Sequence, residues 1–330
     1  MTDSNTPSTR TDEELLHLAA RLSNAGRWGP DDELGTLNHI SAAKRVEAAS
    51  LVRTGLTVSL ARPLIRSTDP TSAVELDRRF FANARPDRLS GAPPFAGEYL
   101  GLDTHQQGVT HLDAVGHVGG ADGSAYGGRL FSDSINDEGL CVGSVFAQRD
   151  GIVSRGVLLD VPAALGRDWL APPHEITPAD LEAAERHAGV TVGRGDVLVV
   201  RAGIEPREAT EGPSPLGPGP GPDAAAWMYE RDVALYTGDA PEHITALAAR
   251  ILGRTEVEPN DGGAHTVTMF PLPFHQLALA SMGLVLLDHA RVEPLAEICR
   301  EIGRYEFLFI VAPLALPAGT GSPVNPLAIF

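Results

Sequence analysis

Apolar positions along the chain change their period several times, and each change predicts an element. Leu15, Leu18, Ala19 and Leu22 recur at helical spacing behind Thr11, which forms a T-x-x-E capping box with Glu14; a helix is expected there, stopped by "NAG". "GVLLDV" (156–161) and "DVLVVRAG" (196–203) are apolar runs of strand length. Between them "TPADLEAAERHAG" (177–189) reads as a helix with Thr177 as N-cap, Pro178 in the first helical position and Gly189 as its stop. Helical patterns around 224–236 and 244–252 follow, then "FHQLALASMG", the apolar run "LVLLD", the helix "VEPLAEICREIG" and the strand "YEFLFIVAPLAL". Strands alternating with helices argue for an α/β domain, and the chain shows no internal repeat. The stretch "EGPSPLGPGPGPDAAA" (211–226) holds too many Pro and Gly residues for regular structure and reads as a long surface loop or lid. Its glycines do not follow a strand and open a helix, as a phosphate-binding loop requires. Residues 1–10 are polar and read as disordered.

Composition narrows the partners more than the fold. The 330 residues, 43% hydrophobic, suffice for one large domain or two smaller ones. With 26 basic and 43 acidic residues, the formal charge of −17 repels phosphate backbones and anionic headgroups, so neither nucleic acid nor a membrane surface is expected as a partner. No run approaches the ~18 apolar residues of a membrane span, and the start lacks a basic, then apolar leader, which makes the cytoplasm the default compartment. Cys141 and Cys299 are the only cysteines and form no CxxC; they read as small buried hydrophobes rather than a disulfide or a thiolate cage.

The candidate chemistry lies in "THLDAVGHVGG" (110–120), which sets His111, Asp113 and His117 close together ahead of a glycine-rich stretch. In an extended strand residues i and i+2 share a face, so His111 and Asp113 would converge, and a turn at Gly116, Gly119 and Gly120 could bring His117 back toward them. Imidazole and carboxylate together suit Zn²⁺ or Mn²⁺. Upstream, His105 reads equally well as a loop histidine or a ligand. Gln107 reads as a surface amide or, four residues before His111 on the same strand face, as a ligand. There is no G-x-S-x-G elbow, which disfavours serine hydrolase chemistry. Asp160 and Asp239, at element ends, read as structural caps.

"QGVTHLDAVGH" resembles the signature H-x-G-T-H-x-D-x-P-x-H of the cyclase family, the metal-dependent hydrolases that include bacterial kynurenine formamidase and isatin hydrolase. It matches at Thr110, His111, Asp113 and His117. "RWGPDDELGTLNHIS" (27–41), the central strand-helix-strand unit, "MYERDVALYTGD" (228–239), "FHQLALASMGLVLLD" and the C-terminal segment resemble further parts of the longer-chain branch, in order. The resemblance implies a single α/β domain over 11–330 with a mostly β core flanked by helices, of the swivelling β/β/α-like kind. It implies metal ligation by His111 and Asp113, proton transfer or substrate contact by His117, and a downstream pair, His275 and Asp288, that completes the site or holds a second metal, with His275 in a catalytic role. Gln107 stands where the signature has its first histidine, with His105 as a substitute ligand if the strand bulges; Val109 and Val115 replace the signature's glycine and proline.

The implied reaction is hydrolysis of an amide, cyclic amide or lactone carbonyl by metal-activated water, with Zn²⁺ or Mn²⁺ as cofactor and a small molecule as substrate. Trp28, Leu37, Asn38, Tyr126 and Trp227 are candidates for the pocket wall, core packing being the better reading of Trp227. Two other functions remain open at this level, a family member that binds a small molecule without turnover and a metal-assisted lyase or cyclase. A homodimer or higher homo-oligomer is expected from the family and from the apolar C-terminus "GSPVNPLAIF".

Overall fold

The computed structural model describes residues 10–65, 74–83, 93–245, 248–249 and 268–330. Residues 1–9, and most of the helical pattern at 244–252, lie outside them. Both bonds of the expected N-terminal capping box are present: the Glu14 amide donates to Thr11 Oγ1 at 3.2 Å and the Thr11 amide donates to Glu14 Oε2 at 2.8 Å. They start the helix Asp12–Arg21, a cap of this kind being worth about 1 kcal/mol. Thr177 and Asp180 repeat the device at Pro178–Ala188, which ends on Gly189 in the left-handed conformation.

A nine-stranded mixed sheet organises the molecule. Its order is Thr57–Ser59, Leu327–Ile329, Glu306–Val311, Ile152–Asp160, Val197–Arg201, Leu235–Gly238, Val285–Asp288, His111–Asp113, Gly321–Pro323. The four strands from Ile152–Asp160 to Val285–Asp288 run parallel, with helical connections between them, and the flanking strands are antiparallel. Side-chain alternation divides the core in two. Val157, Leu159, Leu198, Val200, Tyr236 and Leu286 meet the helices Asp12–Arg21, Pro178–Ala188 and Pro222–Glu230 on one face. Leu158, Val197, Val199, Leu235, Val285 and Leu287 meet the helix Glu293–Ile302 on the other. Both faces of the parallel strands are covered, which is why their sequences are continuous apolar runs. Asp160, Arg201, Asp239 and Asp288 then fall at the carboxyl ends of four neighbouring parallel strands, the edge where α/β sheets bind ligands.

Asp160 and Asp239 cap, as expected. Asp160 accepts the Ala163 amide at 3.2 Å and Asp239 accepts those of Ala202, Gly203 and Ile204 at 2.7 to 2.8 Å. Of the two cysteines expected to be buried only Cys299 is, Cys141 being exposed. Four other expectations are corrected. The pattern at 224–236 is not one helix: Pro222–Glu230 ends at a reversal where Asp232 takes φ +52°, and Leu235 already belongs to a strand. The 211–226 segment is not a surface loop throughout, because Gly219–Pro220 pairs in parallel with Glu175–Ile176 and the next helix begins at Pro222. A Cβ on Gly219 would lie 2.2 Å from the Glu242 carbonyl carbon and one on Gly221 2.0 Å from Glu175 Oε1, so these glycines serve close approach rather than flexibility.

The apolar C-terminus is core rather than an exposed patch. Gly321–Pro323 and Leu327–Ile329 are strands of the large sheet, and Phe330 is fully buried with its ring 5.4 Å from that of Phe307. The fourth correction concerns 105–113, where only His111–Asp113 is extended while 104–108 turns, with Gly108 at φ +82°. Among the described residues no helix is long and apolar enough to cross a membrane.

Candidate metal centre

The site begins with a register. Asp288, last residue of its strand, stands opposite His111, the first of the neighbouring antiparallel strand. Leu112 and Leu287 point into one core, so alternation turns His111, Asp113 and Asp288 together toward the opposite face. All three are at least nine-tenths buried. His111 Nδ1 lies 2.8 Å from the Val109 carbonyl, and donating there fixes the ring so that Nε2 faces Asp113 Oδ1 at 3.4 Å.

Two loops complete the first group. The turn after Leu102 is held by the His105 amide, which donates to Asp103 Oδ1 at 3.0 Å. It delivers His105 Nδ1 to 3.0 Å from Asp113 Oδ1, while Nε2 stands 3.0 Å from Thr320 Oγ1. Gly321 makes room for that ring, since a Cβ there would lie 2.6 Å from His105 Cε1. His117 stacks on His105 with ring centroids 3.7 Å apart and planes within 4°. Gln107 lies in the turn, so it shares no strand face with His111, and the same turn brings His105 to Asp113.

The second group comes from the helical segment Pro273–His275, which continues as a π-helix over Gln276–Met282, a form often found at functional sites. His275 Nε2 is 3.1 Å from Asp288 Oδ2, and its Nδ1 is 2.6 Å from Glu242 Oε2. Glu242 is only 1% exposed and also accepts the Phe274 amide at 2.8 Å. Glu242, Thr320 and Gly321 carry no spacing signal in the sequence: Glu242 is 33 residues from the histidine it holds.

Two triads could therefore hold a cation, His105–His111–Asp113 and Asp113–His275–Asp288, each with one ligand atom per residue within 4.8 Å of the others. The donor chemistry fits a divalent metal. Asp288 Oδ1 is buried without a hydrogen-bond partner among the described residues, and Asp113 Oδ1 faces the rings of His105 and His111 at 3.0 and 3.4 Å, an enclosure of carboxylate oxygens that a cation relieves. Electrostatics agree. Burial pushes Asp113 up, but His117, His105 and His111 hold it well below the usual carboxylate range; for Asp288 burial likewise raises, and His275 outweighs it and lowers the carboxyl. Burial opposes charge on His111, yet Asp113 prevails and holds it up at about 9; His275, between two carboxylates, is raised as well. His117 goes the other way, pushed down to about 4 chiefly by burial, against the pull of Asp113.

The expected pocket wall lies elsewhere. Tyr126 donates to Asp32 Oδ2 at 2.7 Å and Asn38 donates to Asp32 Oδ1 at 2.7 Å, while Asp32 also accepts the Gly35 amide. Trp28 packs edge-on against His39, itself 3.2 Å from Asp232. Thr36 beside them bonds the carbonyls of Ala234 and Gly283, which precede two parallel strands, so this segment closes the edge opposite Asp288. Tyr126 and Leu37 join the core on the other face of the sheet. Tyr126 and Asn38 brace the fold through Asp32, and Trp28 does so through His39. Trp227 is core, 3% exposed, with Arg231 over its ring at 3.8 Å.

Comparison with known proteins places this arrangement. Residues 36–243 match the Cyclase family model. A crystal structure of a novel cyclase is similar at 28% identity and TM-score 0.74, covering 94% of this chain and 100% of its own. Isatin hydrolase A from Labrenzia aggregata, bound to benzyl benzoate, is 19% identical with TM-score 0.52, covering 87% of this chain and 98% of its own. Isatin hydrolase A from Ralstonia solanacearum is 18% identical with TM-score 0.51, over 87% and 95%. No curated protein matches the sequence.

Proposed function

The chain belongs to the Cyclase family, and from that premise we propose that it is a metal-dependent hydrolase that opens an amide, cyclic amide or lactone carbonyl in a small molecule. The observation that carries this reading is the pair of buried triads that share Asp113, each with its imidazole and carboxylate ligand atoms within 4.8 Å of one another. His105, His111 and Asp113 would hold one divalent ion, and Asp113, His275 and Asp288 a second. The mixed imidazole and carboxylate set suits zinc or manganese. When bound, such an ion supplies Lewis acidity toward a carbonyl and acidifies water.

The protein's own groups supply the rest. His117, held down at about 4 and hence neutral near pH 7, is able to accept a proton from the attacking water and pass it to the leaving nitrogen or oxygen. Its stacking on His105 fixes the ring plane for that transfer. Glu242, by accepting from His275 Nδ1, leaves His275 Nε2 as the ligand atom and fixes its ring. The isatin hydrolases provide the precedent for a cyclic amide, by likeness of fold.

The test is turnover of aryl formamides, cyclic aryl amides and lactones by protein loaded with Zn²⁺ or Mn²⁺, with product mass as readout. Expected is a gain of one water, loss of activity on chelation, its return with added metal, and a ~10²-fold or greater fall in turnover in His117→Ala with metal retained. A product of unchanged mass, or undiminished turnover in chelated protein, overturns the reading.

A further inference from the structure

A polar cleft opens on the edge of the sheet where the candidate metal centre also lies. Asp160 and Arg201 end neighbouring parallel strands and stand opposite each other in register. Asp288 ends a strand three places along from that of Asp160, about 14 Å away at ~4.8 Å per strand. The cleft is separate from the two triads, and none of its lining residues belongs to either.

Its floor is a charge triad that does not balance. Arg201, with a side chain only 6% exposed, engages all three guanidinium nitrogens: Nη1 donates to Asp160 Oδ1 at 2.9 Å, Nε to Glu293 Oε1 at 2.8 Å and Nη2 to the Asp168 carbonyl at 3.0 Å. Two carboxylates thus share one cation, which leaves one negative charge over. Asp160 Oδ2 has no hydrogen-bond partner among the described residues. Burial pushes the Glu293 carboxyl up, and Asp239 and Asp160 add to this against the pull of Arg201, as expected of a carboxylate short of positive charge. Glu293 is also the more accessible of the two acids, its side chain 15% exposed against 1% for Asp160.

Above this floor is a space of about 290 Å³. Its rim has the opposite sign, since Arg167 and Arg300 outnumber Asp168. Arg300 donates from Nε to the Ala296 carbonyl at 3.2 Å, and its terminal nitrogens hold no ion pair among the described residues. Trp169, Ala163 and Pro206 add an apolar wall.

We propose that this cleft binds a small α-amino acid, with the ammonium on Glu293, the carboxylate on Arg300 and an apolar side chain against Trp169. A simple cation answers the floor and is repelled at the rim. A simple anion answers the rim and is repelled at the floor. A zwitterion matches both signs, with a charge-assisted hydrogen bond at each end. The volume lies just under the ~300 Å³ at which pockets for drug-sized ligands begin, which limits the occupant to a single amino acid. The proposal does not depend on the metal reading.

Calorimetric titration of the full, zinc-loaded chain with L-valine tests it. Expected is a Kd on the order of 0.1 to 1 mM, with isobutylamine and isobutyrate, which carry one charge each, at least ~10-fold weaker. Glu293→Gln and Arg300→Glu should each weaken valine binding at least ~10-fold, while Arg45→Glu, an exposed arginine elsewhere, should leave it unchanged. Chelated protein should bind valine as well as loaded protein, which separates the cleft from the metal centre, because zinc itself ligates amino acids. Far-UV dichroism checks folding. Arg300 is exposed, so its variant still decides should Glu293→Gln misfold. No binding at roughly 10 mM valine, equal affinity for either single-charge analogue, binding that vanishes on chelation, or undiminished binding in folded Arg300→Glu would each overturn the proposal.

Discussion

The two triads share Asp113 but are built from different material. His275 and Asp288 sit inside the core, one on a helix and one ending a central strand, and Glu242 braces the histidine from behind. His105 rides on a turn, with its side chain 21% exposed, and is held by Thr320 and a stacked His117. A group fixed by packed elements loses little freedom when it binds an ion. One carried by a turn must be ordered first, and its affinity depends on the surroundings that order it. The inner triad is therefore the preorganised one, and the outer triad is the adaptable one, beside the half-buried His117.

The comparison breaks most completely at its common member. Asp113→Ala should remove both ions and lower turnover by roughly 10³-fold or more, several kcal/mol of transition-state stabilisation. Metal analysis and steady-state rates check it, and a variant retaining one tightly bound ion would show that the triads do not share this carboxylate. A smaller effect separates the two sites. Glu242→Gln keeps the size of the side chain but removes the charge that orients His275, so affinity for one ion should fall ~10- to 100-fold while the other is unchanged. Competition titration with a chromogenic chelator resolves the two steps. The smallest effect is expected from Gln107→His. Although it restores the family's missing imidazole in sequence, residue 107 lies in the turn, so affinity should stay within ~2-fold of the wild type. A tenfold tightening would mean that position 107 faces the ion after all.

That last variant marks where reading the chain by period stops working. Alternation of apolar and polar positions holds while a strand lasts, and it placed His111 and Asp113 on one face correctly. It cannot see that the strand is only three residues long, because a turn at 104–108 is held by Asp103, Gln106 and a left-handed Gly108 rather than by hydrophobicity. The same blindness made a lid of the Pro/Gly stretch at 211–226, where two glycines instead let Glu175 and the Glu242 backbone come close.

By itself, the sequence determined the caps, the helices at 12–21 and 178–188, the apolar parallel strands, the α/β class, and the side chains His111, Asp113 and His117. These follow from local periodicity and from ligand chemistry at short spacing, which a linear chain displays. Only the tertiary structure decided that His105 reaches Asp113 from a turn, that Glu242 stands behind His275, and that Asp32 draws Tyr126 and Asn38 to the far edge of the sheet. It also decided that the apolar C-terminus is core. Each of these depends on which strand lies beside which, and sheet order is set by long-range burial that no local pattern records.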